Sequence, residues 1–341
     1  MILVTGSTGF IGREFIRQLS QKVDRKDILC LVYDVCDNEL ERSGRKNLDD
    51  LGVAYLPVDL ISGRGLDKIP KSPDMIFHLA SVTITASRDH RVNDVGTRNL
   101  INAIQPIKPG MNFIYTSTIC VNDMREDFSK PITEVMELPV RPANLYGRKK
   151  LIAEKFLKKA AADFKFSLSI IRVCGVYGPG ARRNGLFDSI EKLVKSGSIL
   201  TRMNWPGKIS LINVLDMAGF IFGVSVNPPE PSKWEVYIPS IEALSMAEMS
   251  EIVHQEYGIK YRPLRLPSLF WNICCFFARH KNIIEYILPH SVYDRFWQAC
   301  LLVNNEFWNV SEKIYKVIPG WKPLKYNVYY RNKIKTDNPN A

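Results

Sequence analysis

The sequence lacks the cysteine and histidine patterns of a metal site or a disulfide framework. Its 7 cysteines contain no CxxC pair, and its 5 histidines are scattered without a second ligand at metal-binding spacing. The cysteine count is odd and nothing suggests secretion, so free buried thiols are the expected state. We therefore expect neither a bound metal nor a disulfide.

Long apolar runs and a secretory leader are also missing. The longest strongly apolar stretch, residues 269–278, is about half of the roughly 20 residues that a membrane-spanning helix needs. The first residues offer no basic region, apolar h-region or cleavage site. These features favour a cytoplasmic protein.

Acidic residues are too few to balance the basic ones. Lys and Arg total 46 and Asp and Glu total 35, which gives a formal net charge of +11. The basic residues are dispersed, with short clusters at 148–150 and 182–183, and no nucleic-acid motif accompanies them. We expect an anionic small-molecule ligand and no nucleic acid, while contact with an anionic membrane surface stays open.

The first half of the chain alternates short apolar runs with helical patterns. Apolar runs typical of strands covered on both faces lie at residues 2–4, 28–32, 75–79, 113–115 and 168–171. Between them, apolar residues recur at helical spacing. This alternation predicts an α/β fold with a Rossmann-type doubly wound parallel sheet.

The second half is punctuated by proline and glycine. A capping box at 245–248 predicts a helix that runs to about Gly258, and residues 266–309 predict aromatic-rich helices over a pocket. Residues 331–341 predict a polar, frayed tail. We divide the chain into a dinucleotide-binding domain, a smaller discontinuous substrate domain and this tail: 1–174 with 209–238, 175–208 with 239–330, and 331–341.

Three glycines follow the first apolar run and precede an amphipathic helix. Gly6 would allow a tight turn, Gly9 a close approach of the backbone to a pyrophosphate, and Gly12 close packing of helix on strand. The N-terminus of the helix then offers N–H groups and the positive end of its dipole to the phosphates. The alternative is a strand-to-helix turn that uses glycine for geometry alone. The place of the three glycines at the start of a strand–helix series favours a cofactor site.

The G-x-x-G-x-x-G spacing and the segments FHLAS, FIYTSTICV and LYGRKK resemble the extended short-chain dehydrogenase/reductase family, also called the NAD-dependent epimerase/dehydratase family. The resemblance extends across nearly the whole chain and implies Thr118, Tyr146 and Lys150 as catalytic residues. A second Tyr-x-x-x-Lys pair, Tyr329 with Lys333, lies in the polar end of the chain, so position favours Tyr146.

The resemblance implies a specific chemistry for these three residues. Tyr146 and Lys150 share one face of a helix. A phenol with a pKa of roughly 10 is a poor base at neutral pH, and the Lys150 ammonium and an oxidised nicotinamide ring are expected to lower the pKa of Tyr146. Thr118 would orient the same substrate oxygen, and hydride would pass between the substrate carbon and nicotinamide C4.

The resemblance also implies the cofactor and its contacts. Members that use NAD carry an acid at the end of the second strand, and Asp34 lies close to that place, so we expect NAD or NADP with a slight preference for NAD. The implied cofactor-binding residues are Gly6, Thr8, Gly9, Phe10, Ile11, Gly12, Tyr33, Asp34, Asp59, Leu60, Leu79, Ala80, Ser81, Asn93, Tyr146, Lys150 and Val173.

Two departures from the family pattern bear on the reaction type. Dehydratases carry acids after the catalytic threonine, whereas Thr118 is followed by Ile119 and Cys120, which disfavours dehydration. Many epimerases carry an asparagine where this chain has Gly175. The resemblance therefore favours a 4-keto-sugar-nucleotide reductase of the kind found in O-antigen and polysaccharide pathways. A UDP-sugar 4-epimerase with retained NAD, a 3β-hydroxysteroid-dehydrogenase-like reductase and an inactive NAD(P)-binding protein remain alternatives.

The substrate is expected to be an anionic sugar nucleotide. Arg182, Arg183 and Lys208 could contact its diphosphate, and solvent-exposed loop charge explains them equally well. The substrate-binding candidates are Thr83, Thr118, Arg182, Arg183 and Lys208. The family resemblance also leaves a homodimer open. Residues 266–289 could form a lid, a dimer interface or a membrane contact.

Overall fold

The computed structural model describes residues 1–83, 87–181, 185–311 and 313–337, and its centre is a seven-stranded parallel sheet. In chain order the strands are β1 (Ile2–Thr5), β2 (Ile28–Tyr33), β3 (Ala54–Val58), β4 (Met75–His78), β5 (Asn112–Thr118), β6 (Ser167–Val173), β7 (Gly175–Tyr177), β8 (Lys208–Asn213), β9 (Trp234–Tyr237) and β10 (Glu242–Ser245). The large sheet has the order β3-β2-β1-β4-β5-β6-β9 with parallel pairing throughout. This confirms the predicted α/β, Rossmann-type fold.

Helices cover both faces of that sheet. In chain order the α-helices of the described residues are α1 (Phe10–Leu19), α2 (Glu39–Leu51), α3 (Thr97–Ala103), α4 (Leu145–Phe164), α5 (Leu186–Lys195), α6 (Val214–Val226), α7 (Met246–Glu256), α8 (Ser268–Arg279), α9 (Lys281–Ile284), α10 (His290–Val303), α11 (Lys313–Val317) and α12 (Tyr326–Asp337). No helix in these described ranges is both long enough and apolar enough to cross a bilayer.

Strand residues alternate between two separate cores, which explains the continuous apolar runs. Successive side chains of a strand point to opposite faces, so Leu3 packs in the core on one face of the sheet and Val4 in the core on the other. Phe15 of α1 and Met217 of α6 share the core of Val4, while Leu157 of α4 shares that of Leu3. Because neither face meets water, no polar alternation is needed.

A second, three-stranded sheet lies beyond β6 in the chain. β8 is central, parallel to β7 and antiparallel to β10. Its core contains Tyr177, Leu211 and Met249, and α12 closes it with the buried Tyr326 and Tyr330. Strand β8 thus belongs to the small sheet, while α6 and β9 pack with the large one. The predicted dinucleotide-binding domain included residues 209–238, but β8 lies in the small sheet. The division into two domains stays a proposal.

The C-terminal end differs from the prediction of a frayed tail over 331–341. Residues 331–337 continue α12, and residues 338–341 lie outside the described part of the chain. Arg331 pairs with Glu256 of α7 at 3.3 Å, and Lys333 pairs with Glu191 of α5. This polar segment is ordered because its charges find partners on other elements and because Tyr326 and Tyr330, earlier in α12, are buried. By contrast, α7 begins at the predicted capping box of Ser245 and Glu248.

Candidate active site

Two of the three opening glycines occupy places that no other residue fits. Gly6 has a φ of +72°, and a Cβ added there would lie 2.5 Å from the backbone nitrogen of Ala80. A Cβ at Gly12 would lie 2.0 Å from the carbonyl oxygen of Gly6. The turn between β1 and α1 is therefore packed against the residues that follow β4 on one side and against its own helix on the other.

Gly9 has a different environment. It is the N-cap residue of α1, with an extended backbone, no side-chain cap and no acidic residue in the first helical turn. A Cβ at Gly9 would meet only the Gly6 carbonyl oxygen, at 3.3 Å, because the remaining directions open onto a cleft. The N-terminus of α1 is uncapped, and a ligand can approach its backbone closely. Such an N-terminus suits a pyrophosphate. The residues present therefore fit a dinucleotide.

The cleft has a volume of about 420 Å³ and runs from the glycine turn over the carboxyl ends of β2, β3 and β4. This is where doubly wound sheets bind their ligands. Predicted residues that line it are Gly6, Thr8, Gly9, Tyr33, Asp59, Leu60, Leu79, Ala80 and Ser81. The predicted Phe10, Ile11 and Gly12 form the first turn of α1. Lining residues that the sequence did not indicate are Leu31, Val32, Leu40, Glu41, Val58, Ile61, Val82, Asp89 and Val92.

The acid predicted to hold the ribose is engaged elsewhere. Among the described residues, Tyr33 lines the cleft but Asp34 does not, and the Asp34 carboxylate lies 2.5 Å from the Arg64 guanidinium. Asp59 does border the cleft, yet its oxygens accept hydrogen bonds from the Ile61 nitrogen at 2.8 Å and the Ser62 hydroxyl at 2.7 Å. Burial acts to raise the pKa of Asp59, but these bonds outweigh it and lower the pKa.

Glu41 supplies an acid at the cleft that sequence reasoning missed. It lies on α2, and its carboxylate accepts a hydrogen bond of 3.1 Å from the Thr8 hydroxyl in the glycine turn. Burial raises the pKa of Glu41. The available signal was Asn38, whose side chain caps α2 by accepting from the Glu41 nitrogen at 2.9 Å and so fixes where Glu41 stands.

Thr118 and Tyr146 come together through close packing at the start of α4. Thr118 is the last residue of β5, beside Val173 at the end of β6. The Asn144 side chain caps α4 by accepting from the Gly147 nitrogen at 2.6 Å. A Cβ at Gly147 would lie 2.5 Å from the Cys120 carbonyl oxygen, so glycine lets α4 approach the turn that follows Thr118.

Tyr146 is buried beside Ser81, one of the residues that line the cleft, and is not itself among those lining residues. It is 8% exposed, and its ring centroid lies 5.9 Å from that of the buried His90. Burial raises the pKa of Tyr146, and interactions with the Ser81 and Thr118 hydroxyls act in the opposite direction. Because Ser81 also lines the cleft, it connects the cleft to Tyr146.

Lys150 does not act on Tyr146 in the way the family resemblance implies. Its ammonium donates to the Thr116 carbonyl oxygen at 2.8 Å and lies 4.6 Å from the centroid of the Tyr115 ring. Burial lowers the pKa of Lys150 to about 7, with Glu154 acting in the opposite direction. The expected lowering of the Tyr146 pKa is therefore corrected: burial dominates, and the Lys150 ammonium is held by β5.

A buried ion pair behind Lys150 was also missed. Glu154, one turn along α4, pairs with Arg172 of β6 at 3.0 Å, and both side chains are almost fully buried. Glu154 also accepts a hydrogen bond of 2.5 Å from the Ser117 hydroxyl. The pair therefore fixes α4 to β5 and β6 one helical turn beyond Lys150. Glu154 stands four residues after Lys150, but nothing in the sequence assigns it Arg172 as a partner.

Asn93 supports the rim of the site. Its side-chain oxygen accepts from the Ser81 hydroxyl at 2.9 Å and from the Val82 nitrogen at 3.3 Å, and its amide donates to the Val82 carbonyl at 3.0 Å. His90 contacts the same carbonyl at 3.1 Å. Asn93 thus holds the segment that carries Ser81 and is itself fully buried.

The structure gives little support to the predicted substrate contacts beyond Thr118. Thr83 is exposed next to the cleft-lining Val82. Lys208 begins β8, where its ammonium lies 3.6 Å from the Glu248 carboxylate. Arg182 and Arg183 lie outside the described residues.

A buried cluster of charges anchors the turn after β5 and was not predicted. Lys281, Asp123 and Glu306 are all fully buried, with the Lys281 ammonium 2.7 Å from Asp123 and paired with Glu306. The other oxygen of Asp123 accepts from the Asn144 amide at 3.0 Å and from Trp297 at 2.9 Å. We call Lys281, Asp123 and Glu306 the charge cluster. It connects the C-terminal helices to the cap of α4.

Comparison with known proteins places the chain among related enzymes. A family model described as "NAD dependent epimerase/dehydratase family" matches residues 2–234. UDP-glucose 4-epimerase of Vibrio cholerae is 30% identical over 231 residues, which are 63% of this chain and 64% of that protein. ADP-L-glycero-D-manno-heptose-6-epimerase of Alkalilimnicola ehrlichii is 29% identical over 211 residues, 58% of this chain and 62% of that protein. The chain thus spans less than two thirds of the length of these curated relatives.

A solved structure shows the same fold over the whole length. A variant of UDP-glucuronic acid 4-epimerase from Bacillus cereus, in complex with UDP-4-deoxy-4-fluoro-glucuronic acid and NAD, has a TM-score of 0.73 to this chain at 17% identity. The match covers 98% of this chain and 99% of that chain. At this identity the likeness establishes the fold, and the chemistry has to be argued from the residues.

Proposed function

The chain belongs to the NAD-dependent epimerase/dehydratase family, and on that premise we propose that it catalyses NAD-dependent hydride transfer at a secondary alcohol or ketone carbon of a sugar nucleotide. The observation that carries the proposal is the buried Tyr146, whose hydroxyl interacts with the Thr118 hydroxyl and with that of Ser81, a residue that lines the dinucleotide cleft. The family description names NAD, in agreement with the predicted cofactor.

The residues of this chain would divide the work as follows. The turn at Gly6 and Gly9 and the N-terminus of α1 would hold the pyrophosphate, and bound NAD supplies the hydride acceptor or donor. Tyr146 would exchange a proton with the substrate oxygen, and Thr118 would hydrogen-bond to that oxygen and orient it. Lys150, held by the Thr116 carbonyl, would fix the start of α4 against β5 and so position Tyr146.

Within this chemistry we favour 4-epimerisation of a nucleoside-diphosphate sugar with retained NAD. The proposal is supported by the names of similar proteins, since the relative from Vibrio cholerae is a UDP-glucose 4-epimerase and the similar solved structure is a UDP-glucuronic acid 4-epimerase. The same Tyr146 and Thr118 would serve for removal of the hydride and for its return to the opposite face of the carbon.

Net ketone reduction is the second candidate, and one observation at β7 favours it. Many family epimerases have an asparagine at the place of Gly175, as the family resemblance implies. A Cβ at Gly175 would lie 3.0 Å from both the Leu211 side chain and the Ser210 carbonyl oxygen. A side chain at this position would be tight and would require its neighbours on β8 to give way slightly. With glycine there, the diphosphate contact of the asparagine is missing.

Dehydration is disfavoured because the residues after Thr118 cannot move a proton at neutral pH. Ile119 is apolar, and burial raises the pKa of the Cys120 thiol to about 12. Neither residue could serve as the acid or base for a leaving hydroxyl.

One assay separates the candidates. The purified protein is incubated with UDP- and dTDP-linked 4-hydroxy and 4-keto sugars while the absorbance of reduced nicotinamide is followed and the sugars are analysed by NMR. Isomer conversion without net change in nicotinamide supports the epimerase, whereas stoichiometric oxidation of NADH by a 4-keto sugar supports the reductase. NAD binding with neither reaction across the panel would overturn the proposed function.

A further inference from the structure

Helix α8 carries apolar side chains on a face that no other part of the described chain covers. Leu269, Ile273 and Phe276 recur at spacings of four and three, and Phe270 and Phe277 flank them about two helical turns apart. These five side chains are between 43% and 69% exposed. The opposite face of α8, with Trp271 and Ala278, is buried against the protein, so the exposed side chains are not needed for packing of the helix.

The exposed apolar surface continues along the chain past α8. Ile283, Tyr286, Ile287 and Val292 are between 48% and 76% exposed. We call these four residues, together with the five of α8, the apolar surface. Single exposed apolar residues are normal, but a run of this kind marks a site of interaction with a protein or a membrane.

The charge around the apolar surface favours an anionic partner. Residues 257–284 contain no Asp or Glu, and four cations among them, Lys260, Arg262, Arg265 and Arg279, are exposed. The first acid that follows, Glu285, is paired with Arg148 at 2.7 Å and Arg141 at 3.1 Å. The surroundings of the apolar surface are thus basic and without free acidic groups in this segment.

A second copy of this chain fits such a surface poorly. In a two-fold dimer the same patch faces itself, so these cations would meet cations with no acid in the segment to neutralise them. An anionic bilayer offers what the patch lacks, since its interface accepts aromatic and aliphatic side chains and its headgroups attract nearby Lys and Arg. No described helix is long and apolar enough to cross the bilayer, so the contact would lie in the plane of the interface.

We propose that the apolar surface, with its flanking cations, docks the protein on an anionic lipid bilayer. The docking holds α8 along the headgroup boundary, with the buried side of α8 still packed on the protein. The contact depends both on apolar insertion and on charge, so it is weaker on neutral lipid and weaker at high salt.

The test is co-sedimentation of the full chain with vesicles of phosphatidylcholine alone or with added phosphatidylglycerol. We expect binding to the phosphatidylglycerol vesicles at low salt, and a loss of at least tenfold in the Ile273→Glu/Phe276→Glu variant. The matched control is Val226→Glu/Val310→Glu, which adds the same charges at side chains of similar exposure (59% and 54%, against 52% and 58%) outside the apolar surface. This control is expected to bind like the wild type, and circular dichroism checks that both variants fold.

A second variant keeps the proposal testable if the first fails to fold. Arg262→Ser/Arg265→Ser/Arg279→Ser leaves the apolar side chains intact and should reduce both the binding and its dependence on salt. Absence of wild-type binding to phosphatidylglycerol vesicles, or equal binding by the two glutamate variants, overturns the proposal. It is also overturned if sedimentation shows a dimer that Ile273→Glu/Phe276→Glu converts to a monomer while no lipid binding is found, because the surface then belongs to a second copy.

Discussion

Tyr146 is the side chain on which the proposed chemistry depends most directly. Tyr146→Phe removes only the hydroxyl, so we expect the hydride-transfer rate to fall by a factor of about 10² to 10⁴ with little change in NAD affinity or melting temperature. The matched control is Tyr329→Phe, the tyrosine of the second Tyr-x-x-x-Lys pair, which packs against Tyr177 in the small sheet. The control should keep its rate. A Tyr146→Phe enzyme with undiminished turnover contradicts the mechanism even if the substrate is right.

Gly6 and Gly9 are equivalent in the motif but not in the structure. Gly6→Ala forces a Cβ against the Ala80 nitrogen in a backbone conformation that alanine avoids, so we expect a loss of stability of more than about 1 kcal/mol. Gly9→Ala has an ordinary backbone and meets only one atom, at 3.3 Å. It should fold normally and instead bind NAD more weakly, because its methyl group enters the cleft. Thermal melts and NAD titrations of both variants check this contrast, which equal effects on stability would refute.

Lys150 gives the protein a pH dependence of known sign. Burial lowers the pKa of Lys150 to about 7 in the fold, against roughly 10.4 in an unfolded chain. Between these values the unfolded chain binds a proton that the folded chain does not, so the contribution of Lys150 to stability rises with pH over this range. At and below about pH 7 the full cost of burying the ammonium is present.

Lys150→Met removes this contribution and isolates it from all other titrating groups. The stability of the variant relative to wild type should be most favourable near pH 7 and decline by up to a few kcal/mol toward pH 10, since one pKa unit corresponds to about 1.4 kcal/mol. Urea unfolding of both proteins at several pH values measures the difference. A difference that stays constant with pH would show that Lys150 remains charged in the fold.

At the scale of elements, the charge cluster connects α9 to the turn after β5, which contains Asp123. Lys281→Met leaves the Asp123 and Glu306 carboxylates buried without their cation, which costs about 3 to 5 kcal/mol in comparable cases. Burial already raises the pKa of Glu306, and loss of the cation would raise it further. The control is Lys313→Met, whose partner Glu235 is partly exposed, and which should cost no more than about 1 kcal/mol. Chemical denaturation of both variants tests the contrast, and similar losses would contradict it.

The same scale shows which parts of the site the sequence could predict. β1, the glycine turn and α1 were predictable because their pattern is local: a strand, three fixed spacings and a helix that follows at once. Tyr146 and Thr118 were predicted from a family pattern of similar kind, and their catalytic roles stay a prediction. Glu154 was not, because its importance comes from Arg172 on another strand, and the direction of the Lys150 ammonium depends on the Thr116 carbonyl rather than on its spacing from Tyr146.

Helix α12 shows the same limit for secondary structure. Its sequence is polar, and polarity alone predicts fraying. The structure orders it because Tyr326 and Tyr330 are buried under the small sheet and Lys333 pairs with Glu191 of α5. Whether such a segment is ordered depends on its tertiary partners. These partners lie far away in the sequence, and the periodicity of the segment itself does not reveal them.

At the scale of the whole molecule, the cleft for the cofactor lies on the large sheet, whereas α12 closes the core of the small sheet. The cleft is formed by the glycine turn, the ends of β2, β3 and β4 and the adjoining α2, all in the first half of the chain. Tyr326 and Tyr330 belong instead to the core of the small sheet, which β7, β8 and β10 form. Damage to that core should therefore reach the cofactor site only indirectly.

Tyr326→Ala/Tyr330→Ala tests this separation. Each truncation empties a buried position and is expected to cost on the order of 3 kcal/mol or more, so the small sheet should open while the large sheet stays folded. We expect proteolysis to cut first within residues 175–208 or 239–330, NAD affinity to change little and hydride transfer to be lost. The control is Val328→Ala on the exposed side of the same helix. If NAD binding disappears together with the small sheet, the two sheets unfold as one unit and the division into two domains is wrong.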